Sequence, residues 1–524
     1  MCRLSEYGNC NEETVDQNYC LFHKPNKTIE EEFKFWESLK ERLKPEEEEI
    51  EIHIAGRVIN LRRYLFRKDV NCSGYVFPEV VEPAFFRFAV FERRAYFSGA
   101  KFSLANFFGA RFSDVADFSG AEFSSADFSD AKFSLANFFG ARFYEGAYFS
   151  GTEFLRADFS GAKFSLANFF GARFSDVADF SGAEFSSADF SDAKFSLANF
   201  FGARFYEGAY FSGTEFLRAD FSGAKFSLAY FENARFIGEA YFSYSEFWNS
   251  VSFEKAKFLS VADFSGAKFP YLKEPSPEEI LKYASFRRVH FEHPERILFD
   301  GIRGKMKISF IGTDISRIRF MNSSFDFLFD EFLLENLERI YEELEGSEEK
   351  LKHSRMLKER KLEGEKEYVT IDNVLSVIRN LRENFDYYMK YDESGKLFIR
   401  EMELKRRSLW NEKERNFIVR CVEWLIYTAY KWICLYGESV VRPVLWIFSL
   451  IMIFGFLREL NITLQPINAS FGDLLKGIWE SLESFFQLRW DGKPLTLVER
   501  VLSLVNLGAL YTSLHRKLER RIRH

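Results

Sequence analysis

The 524-residue chain lacks most of what marks an enzyme or a secreted protein. No Gly-x-Gly-x-x-Gly, phosphate loop or Gly-x-Ser-x-Gly elbow occurs in it. Its seven histidines are scattered, and His53, His290 and His293 have no nucleophile near them in sequence. Six cysteines are too few for a disulfide framework at this length. The first residues are polar and hold no apolar core segment, so no secretory signal is expected. A net charge of only −7, with pI near 5.8, argues against a generic nucleic-acid binder. What is present in excess is phenylalanine: 65 Phe against 23 Tyr and 8 Trp. No ordinary core needs so many copies of one aromatic, so a repeat is the first thing to look for.

From Phe86 to Phe269 a Phe recurs every five or six residues. Ala-Asn-Phe-Phe-Gly, Ala-Lys-Phe-Ser-Leu and Ala-Asp-Phe-Ser-Gly share one grammar: a small residue, a polar one, then the central Phe. A period of five fits neither an amphipathic helix nor an alternating strand. It fits one side of a square coil, with the small residue and the Phe turned inward. Stacked coils then place each inner Phe, such as Phe97, Phe102, Phe107, Phe112, Phe118, Phe123, Phe128 and Phe133, over another, in aromatic columns. The segment resembles the pentapeptide-repeat family, and that resemblance implies a right-handed quadrilateral β-helix with four repeats per turn.

The register offers an independent check. The 36 central Phe residues make nine coils, a rod of roughly 43 Å at about 4.8 Å per coil. Six-residue steps, among them Phe112 to Phe118, Phe143 to Phe149, Phe236 to Phe242 and Phe247 to Phe253, are separated by even numbers of sides. They therefore all fall on one opposite pair of faces. Residues 97–158 also recur identically as 159–220, a copy of 62 residues or twelve sides. Three whole coils lengthen the rod by roughly 14 Å without rotating the coils beyond them. A segment copied wholesale behaves as a spacer or repeated surface and is a poor place for a unique reaction centre.

The expected order is a zinc-knuckle-like N-terminus (1–27), a capping helix (28–50) opened by Thr28 with Glu31 three residues on, and the solenoid (51–269). A Pro-rich loop (270–285) and irregular terminal coils (286–328) come next, with Phe310, Ile315, Phe320 and Phe325 as inner residues. A charged helical arm (329–416) leads to a membrane-associated, channel-like domain (417–524). In the first part, Cys2, Cys10, Cys20 and His23 are ligand types that tetrahedral zinc accepts. With all four positions filled by protein, that zinc is structural.

Pro443 to Leu457 and Val501 to Leu514 are uncharged, and both fall short of the ~20 residues of a comfortable span. Basic flanks strengthen the case: Lys405, Arg406 and Arg407 precede the first, while Arg516, Lys517, Arg520, Arg521 and Arg523 come after the second. Two spans with both termini and the solenoid cytoplasmic satisfy the positive-inside rule in a cell membrane. Residues 417–437 suit an interfacial amphipathic helix, with Trp424, Trp432 and Trp446 as a belt. Val377 to Arg407 resembles a segment that often follows pentapeptide repeats in prokaryotic membrane proteins. Phe471 to Pro494, preceded by Tyr436-Gly437-Glu438-Ser439 and Arg442-Pro443, resembles the pore-loop region of two-helix ion-channel domains. It departs from a potassium filter, however, because Ser484 to Pro494 has one Gly, bulky Trp490 and cationic Arg489 where a Thr- and Gly-rich run is needed. The resemblance thus implies a degenerate channel-like anchor.

These features favour a non-enzymatic, membrane-anchored scaffold that presents a cytoplasmic solenoid to protein partners. An ion channel with the rod as regulatory part is the alternative, and it requires a homo-oligomer, four chains for a pore. A DNA-mimicking topoisomerase inhibitor is a third reading. One 62-residue unit holds eight acidic and five basic side chains, a net of −3, too weak to imitate duplex phosphate density. No nucleic-acid partner is expected.

Overall fold

The computed structural model describes residues 19–54, 57–78, 85–270, 282–302, 306–325, 328–332, 334, 369–410, 416–462, 471–486 and 494–522. Two compact units emerge, Met1–Thr370 and Ile371–His524.

The first unit is a β-solenoid. Its grammar comes from one turn repeated. In Asp117-Phe118-Ser119-Gly120-Ala121 the Asp117 carboxylate accepts the Ser119 N–H at 3.0 Å, and Ala121 N–H closes on Phe118 C=O at 3.0 Å. Gly120 sits at φ 62°, the left-handed conformation that a type II turn demands at its third residue. Asp130 and Asp192 take that place with φ 56° and 57°, which short polar side chains tolerate. The turn therefore puts the central Phe and the small residue that closes it inside, mostly Ala, with Thr152, Thr214 and Ser245 in the same place.

Strands then run between alternate corners. Lys101–Asn106, Glu122–Asp127, Arg142–Tyr148, Lys163–Asn168, Glu184–Asp189 and Arg204–Tyr210 build one parallel sheet, continued by Lys225–Tyr230 and Glu246–Ser252. Arg111–Asp117, Lys132–Asn137, Glu153–Asp158 and their successors build the opposite one. The register Lys101↔Glu122 and Glu122↔Arg142 gives coils of about 20 residues, holding four central Phe each. Six-residue steps appear as bulges, as between Phe112 and Val115 and between Phe143 and Gly146. A bulge needs a strand to interrupt, so the extra residues avoid the two turn faces.

Inside, the rings stack face to face up each column: Phe118 on Phe138 and Phe138 on Phe159 at 4.9 and 4.8 Å, within 5° of parallel. Across the tube, opposite columns meet edge to face, as Phe107 and Phe118 do at 5.4 Å and 82°. Stacked rings in the columns and T-shaped pairs between them are the two favoured aromatic geometries, and one residue type satisfies both.

The ends differ from the middle. Helix α1 (Ile29–Leu43) opens with the reciprocal Thr28–Glu31 capping box and lays Phe35, Trp36 and Leu39 over the rod's mouth. An antiparallel hairpin comes next, β1 (Glu46–Ile54) against β2 (Arg57–Phe66), and the end of β2 joins the first coil by pairing with Val90 and Phe91. The hairpin contains no pentapeptide grammar; Glu48 and Arg63 face each other across it at 2.6 Å. At the far end the columns continue through Phe286, Phe299, Phe310 and Phe320, but Phe286–Phe310 opens to 5.6 Å and 28°. Most of the 270–285 loop lies outside the described residues.

The second unit is helical: α2 (Ile371–Tyr387), α3 (Tyr391–Ser408), α4 (Phe417–Cys434), α5 (Val441–Ile462), α6 (Phe471–Phe485) and α7 (Pro494–Ile522). The pair α2–α3 is no merely solvated arm, because Val374, Val377, Ile378 and Leu381 of α2 and Leu397 and Leu404 of α3 are buried. Between them Glu401 receives Arg382 at 2.6 Å, Lys405 at 2.7 Å and Arg379 at 3.0 Å.

Candidate functional site

Zinc is not supported. Among the described residues, no group of three or more His, Cys, Asp and Glu is placed to hold a metal ion. Cys20 Sγ does meet His23 Nδ1 at 2.9 Å, but both are buried in the apolar lid, where the His23 ring sits edge-on to Tyr75 at 5.3 Å. Phe22, between them in sequence, stacks on Tyr75 at 4.6 Å, so this turn is packed as part of the cap. Cys2 and Cys10 lie outside the described residues. Lys27 belongs to the same cap: it donates to the carbonyls of Lys24 and Val76, and burial pulls its pKa down to about 8.

The predicted inner residues, Phe97 through Phe133, are all in the columns and at most a few per cent exposed. They are structural, so function on the rod must come from its outward positions. At the strand starts the ladder reads Lys101, Glu122, Arg142, Lys163, Glu184, Arg204, Lys225, so each carboxylate sits between two cations, as Glu184 does with Lys163 at 3.0 Å and Arg204 at 3.6 Å. Exposed pairs of this kind contribute little energy, and that edge keeps an excess of positive charge. At the strand ends the ladder instead reads Asn168, Asp189, Tyr210, Tyr230. Tyr210 and Tyr230 stack at 5.1 Å, with ring planes 8° apart.

Residues 107–268 match the family described as pentapeptide repeats, with nine copies. That segment is a pentapeptide-repeat β-solenoid. Pentapeptide repeats are structural and non-catalytic. An uncharacterised protein of Methanocaldococcus jannaschii is 31% identical over 159 residues, covering 28% of this chain and 32% of that protein. The chain thus matches about a third of its relative's length.

Beyond the pentapeptide solenoid in sequence, the helical unit has two features. The first is the Tyr-Gly-Glu-Ser turn. Leu435, Tyr436 and Gly437 have φ of 50°, 58° and 85°, a left-handed run that folds α4 back towards α5. The φ of Gly437 favours glycine, and a Cβ there would crowd the Tyr430 hydroxyl at 2.9 Å. The Tyr436 hydroxyl donates to Glu403 at 3.0 Å, and Arg516 of α7 donates to the Tyr436 carbonyl at 2.7 Å while its guanidinium lies 3.9 Å over Phe398. Glu403 also receives Arg406 at 2.6 Å and Lys431 at 3.0 Å, and hydrogen bonds led by Arg406 hold its pKa down to about 2. The turn ties α3, α4 and α7 into one charged hub.

The second feature is inverted polarity. Along α7 the buried side chains are Thr496, Glu499, Ser503, Asn506 and Ser513, while Leu497, Val501, Leu504, Val505 and Tyr511 are exposed. Glu499 is 1% exposed and accepts a hydrogen bond from Ser481 of α6; Leu504 is 58% exposed. Helix α5 adds Leu445, Phe448, Met452, Ile453 and Phe456 to the exposed apolar set, and α4 adds Phe417, Ile418, Leu425, Ile426 and Trp432. The backbones of α5 and α6 come close at Gly455, where a Cβ would stand 3.0 Å from the Ile478 backbone.

The expectation of two spans needs correction. Among the described residues, only Thr496–Glu519 is long and apolar enough by length and composition to cross a membrane; Val441–Leu457 is a shorter apolar helix. Arg458 and Glu459 end the apolar run of α5, leaving roughly 26 Å of helix against a hydrocarbon core of about 30 Å. Residues 487–493, which hold most of the filter-like segment with Arg489 and Trp490, lie outside the described residues.

Proposed function

We propose that this chain is a non-catalytic, membrane-anchored scaffold whose pentapeptide solenoid offers a repeated surface to protein partners in the cytoplasm. One observation carries the anchoring: the reversed polarity of α7, with a carboxylate and hydroxyls inside and aliphatic side chains outside. In water that arrangement forfeits burial on both faces; in hydrocarbon it satisfies both, since lipid is as apolar as leucine and buried polar groups join helices. Helix α4, apolar and Trp-bearing, suits the interface, with Arg406, Arg407 and Arg516 on the cytoplasmic side. The duplicated 62 residues support the scaffold half, because a copied surface multiplies binding positions without new chemistry. Extraction of native membranes with alkaline carbonate tests the anchor: retention in the pellet is expected, and release into the supernatant overturns it.

A second reading, a gated pore, is favoured by the buried polar side chains Ser481 of α6 and Glu499, Ser503 and Asn506 of α7, of which Ser481 and Glu499 bridge the two helices. It requires assembly of several chains, four by analogy with two-helix channels. Current across a planar bilayer that disappears in Glu499→Leu supports it, and silence over the full voltage range leaves the scaffold alone.

A further inference from the structure

The duplication has built something that neither copy contains by itself. In each copy the strand ending Tyr-Glu-Gly-Ala-Tyr folds its last ring back over its own bulge. A Cβ on Gly146 would stand 2.7 Å from the Tyr148 ring, and one on Gly208 would stand 2.8 Å from that of Tyr210. The glycines are where the rings lie. Because Tyr210 stacks on Tyr230 within 8°, its ring plane stands across the rod axis, and Tyr148 repeats the same contact with its own glycine. Two phenol walls thus rise three coils apart, roughly 14 Å. Between them lies a groove of about 300 Å³ floored by Leu166, Asn168, Ser187 and Asp189.

The groove has a sign. Asp189 uses one oxygen to accept the Ser191 N–H at 2.9 Å, and no cation pairs with it among the described residues. The cations of these strands stand at the other end, where Lys163 and Arg204 share Glu184. Tyr148 and Tyr210 are 46% and 41% exposed, so their faces are accessible. One wall of the pair is held in place from behind by Tyr230.

We propose that this groove binds an extended segment of a partner protein carrying two arginines two residues apart. A guanidinium stacks on each phenol face, and the one over Tyr210 also meets the Asp189 carboxylate. The spacing selects the sequence. Walls roughly 14 Å apart, less about 3.5 Å of stacking distance at each, leave about 7 Å, which is the i to i+2 separation of an extended strand. Arginine is preferred to lysine because a flat cation covers a ring face and presents a fork to the carboxylate. The proposal rests on the scaffold reading and names the chemistry of its partner.

Copy one supplies the internal control. Asp127 has the same neighbours, Asn106 and Tyr148, but the ladder residue upstream is Phe85, buried in the cap against Trp36 at 5.3 Å. It has one wall only. The full-length protein is titrated against a fluorescein-labelled Gly-Arg-Gly-Arg-Gly peptide, monitored by anisotropy. Asp189→Asn, Tyr148→Ala and Tyr210→Ala are each expected to weaken binding about tenfold, the scale of one charge-assisted or cation–π contact, while Asp127→Asn changes nothing. Asp189→Asn keeps the turn, since Asn168 already accepts the Phe170 N–H at 2.9 Å in the equivalent place. No binding, equal binding of the Gly-Lys-Gly-Lys-Gly peptide, or an equal loss in Asp127→Asn overturns the proposal. A chain that still recruits proteins to vesicles but ignores the arginine peptide removes the groove and leaves the scaffold standing.

Discussion

The solenoid and the helical unit solve burial in opposite directions. In the rod every coil turns Phe and Ala inward and leaves the charged side chains outside, where they are interspersed with single exposed apolar ones such as Leu104, Phe139 and Leu166, so no buried face of the rod is polar. In the helical unit α7 turns Glu499, Ser503 and Asn506 inward and Val501, Leu504 and Tyr511 outward. On the proposed anchoring, one chain obeys two solvents. The difference teaches that the same question, which face is apolar, has to be asked separately of each region before a function is assigned to either.

Cutting into the rod's core is expected to have the largest effect. Phe159→Ala removes a ring stacked at 4.8 Å on Phe138 and 4.9 Å on Phe180, and met edge-on by Phe149 and Phe169 at 5.4 Å. A loss of about 3–5 kcal/mol is expected from such a cavity, read as a lower denaturation midpoint by circular dichroism in the strand region. A loss below about 1 kcal/mol would mean that the columns collapse freely and the stacking is decorative.

The matching cut in the helical unit is made on the outside. Leu504→Asp places a carboxylate at an exposed position near the middle of the Thr496–Glu519 segment. On a water-facing helix such a change stays within about ±0.5 kcal/mol. In hydrocarbon it costs about 2.5–3.5 kcal/mol of insertion, and the protein shifts from the membrane pellet to the soluble or aggregated fraction. Unchanged partitioning would erase the contrast on which the two-solvent reading is built.

How far the sequence discloses these regions differs for the same physical reason. The rod is legible because its inner residue never changes: a Phe every five or six residues states the period, and the six-residue steps, legible only as falling on an opposite pair of faces, are bulges in the two sheets. The β1–β2 hairpin is not legible as such, because Glu46 to Ile54 is a charged run whose strand state depends on its partner across the ladder. Four ligand-type residues suggest zinc, yet spacing alone cannot tell a thiol and an imidazole that chelate from a pair packed under Tyr75. The groove is not legible at all in a linear reading. Its walls are 62 residues apart, and only the coil count places Tyr148 and Tyr210 on one line. For α7, uncharged length points to a span, while the inward Glu499 shows which face is which.

A smaller effect separates the hub from both extremes. With its pKa at about 2, Glu403 is lowered from an ordinary carboxyl, so its contribution to stability is complete above roughly pH 4.5 and is lost as pH falls towards 2. Glu403→Gln should flatten that acid limb and weaken the fold at neutral pH by about 1–3 kcal/mol, since Arg406, Lys431 and Tyr436 lose their anion. The cap shows the reverse sign. Lys27, lowered to about 8 by burial, carries its charge at a cost below pH 8, so the cap should gain stability between pH 8 and 10.5.

The smallest shift is expected from the largest deletion. Removing residues 159–220 joins Asp158 to Phe221, the same dipeptide as Asp220–Phe221, and Phe221 then stacks on Phe138 as Phe159 does now. Three whole coils leave, so no column is rotated out of line and no new surface appears inside. In a stack where each coil touches only its neighbours, unfolding enthalpy and entropy both fall in proportion to length. The midpoint temperature is their ratio, and it should move by about 2–4 °C at most, the scale of a 1 kcal/mol change in a domain of this size. Yet the deletion sets Tyr148 directly before Tyr230, in the stacked relation Tyr210 holds now, and the second wall is gone. A shortened rod with an unmoved melting curve and an affinity for the arginine peptide about tenfold weaker, as for the loss of either wall, would separate what the duplication does for the fold, which is nothing beyond length, from what it does for recognition.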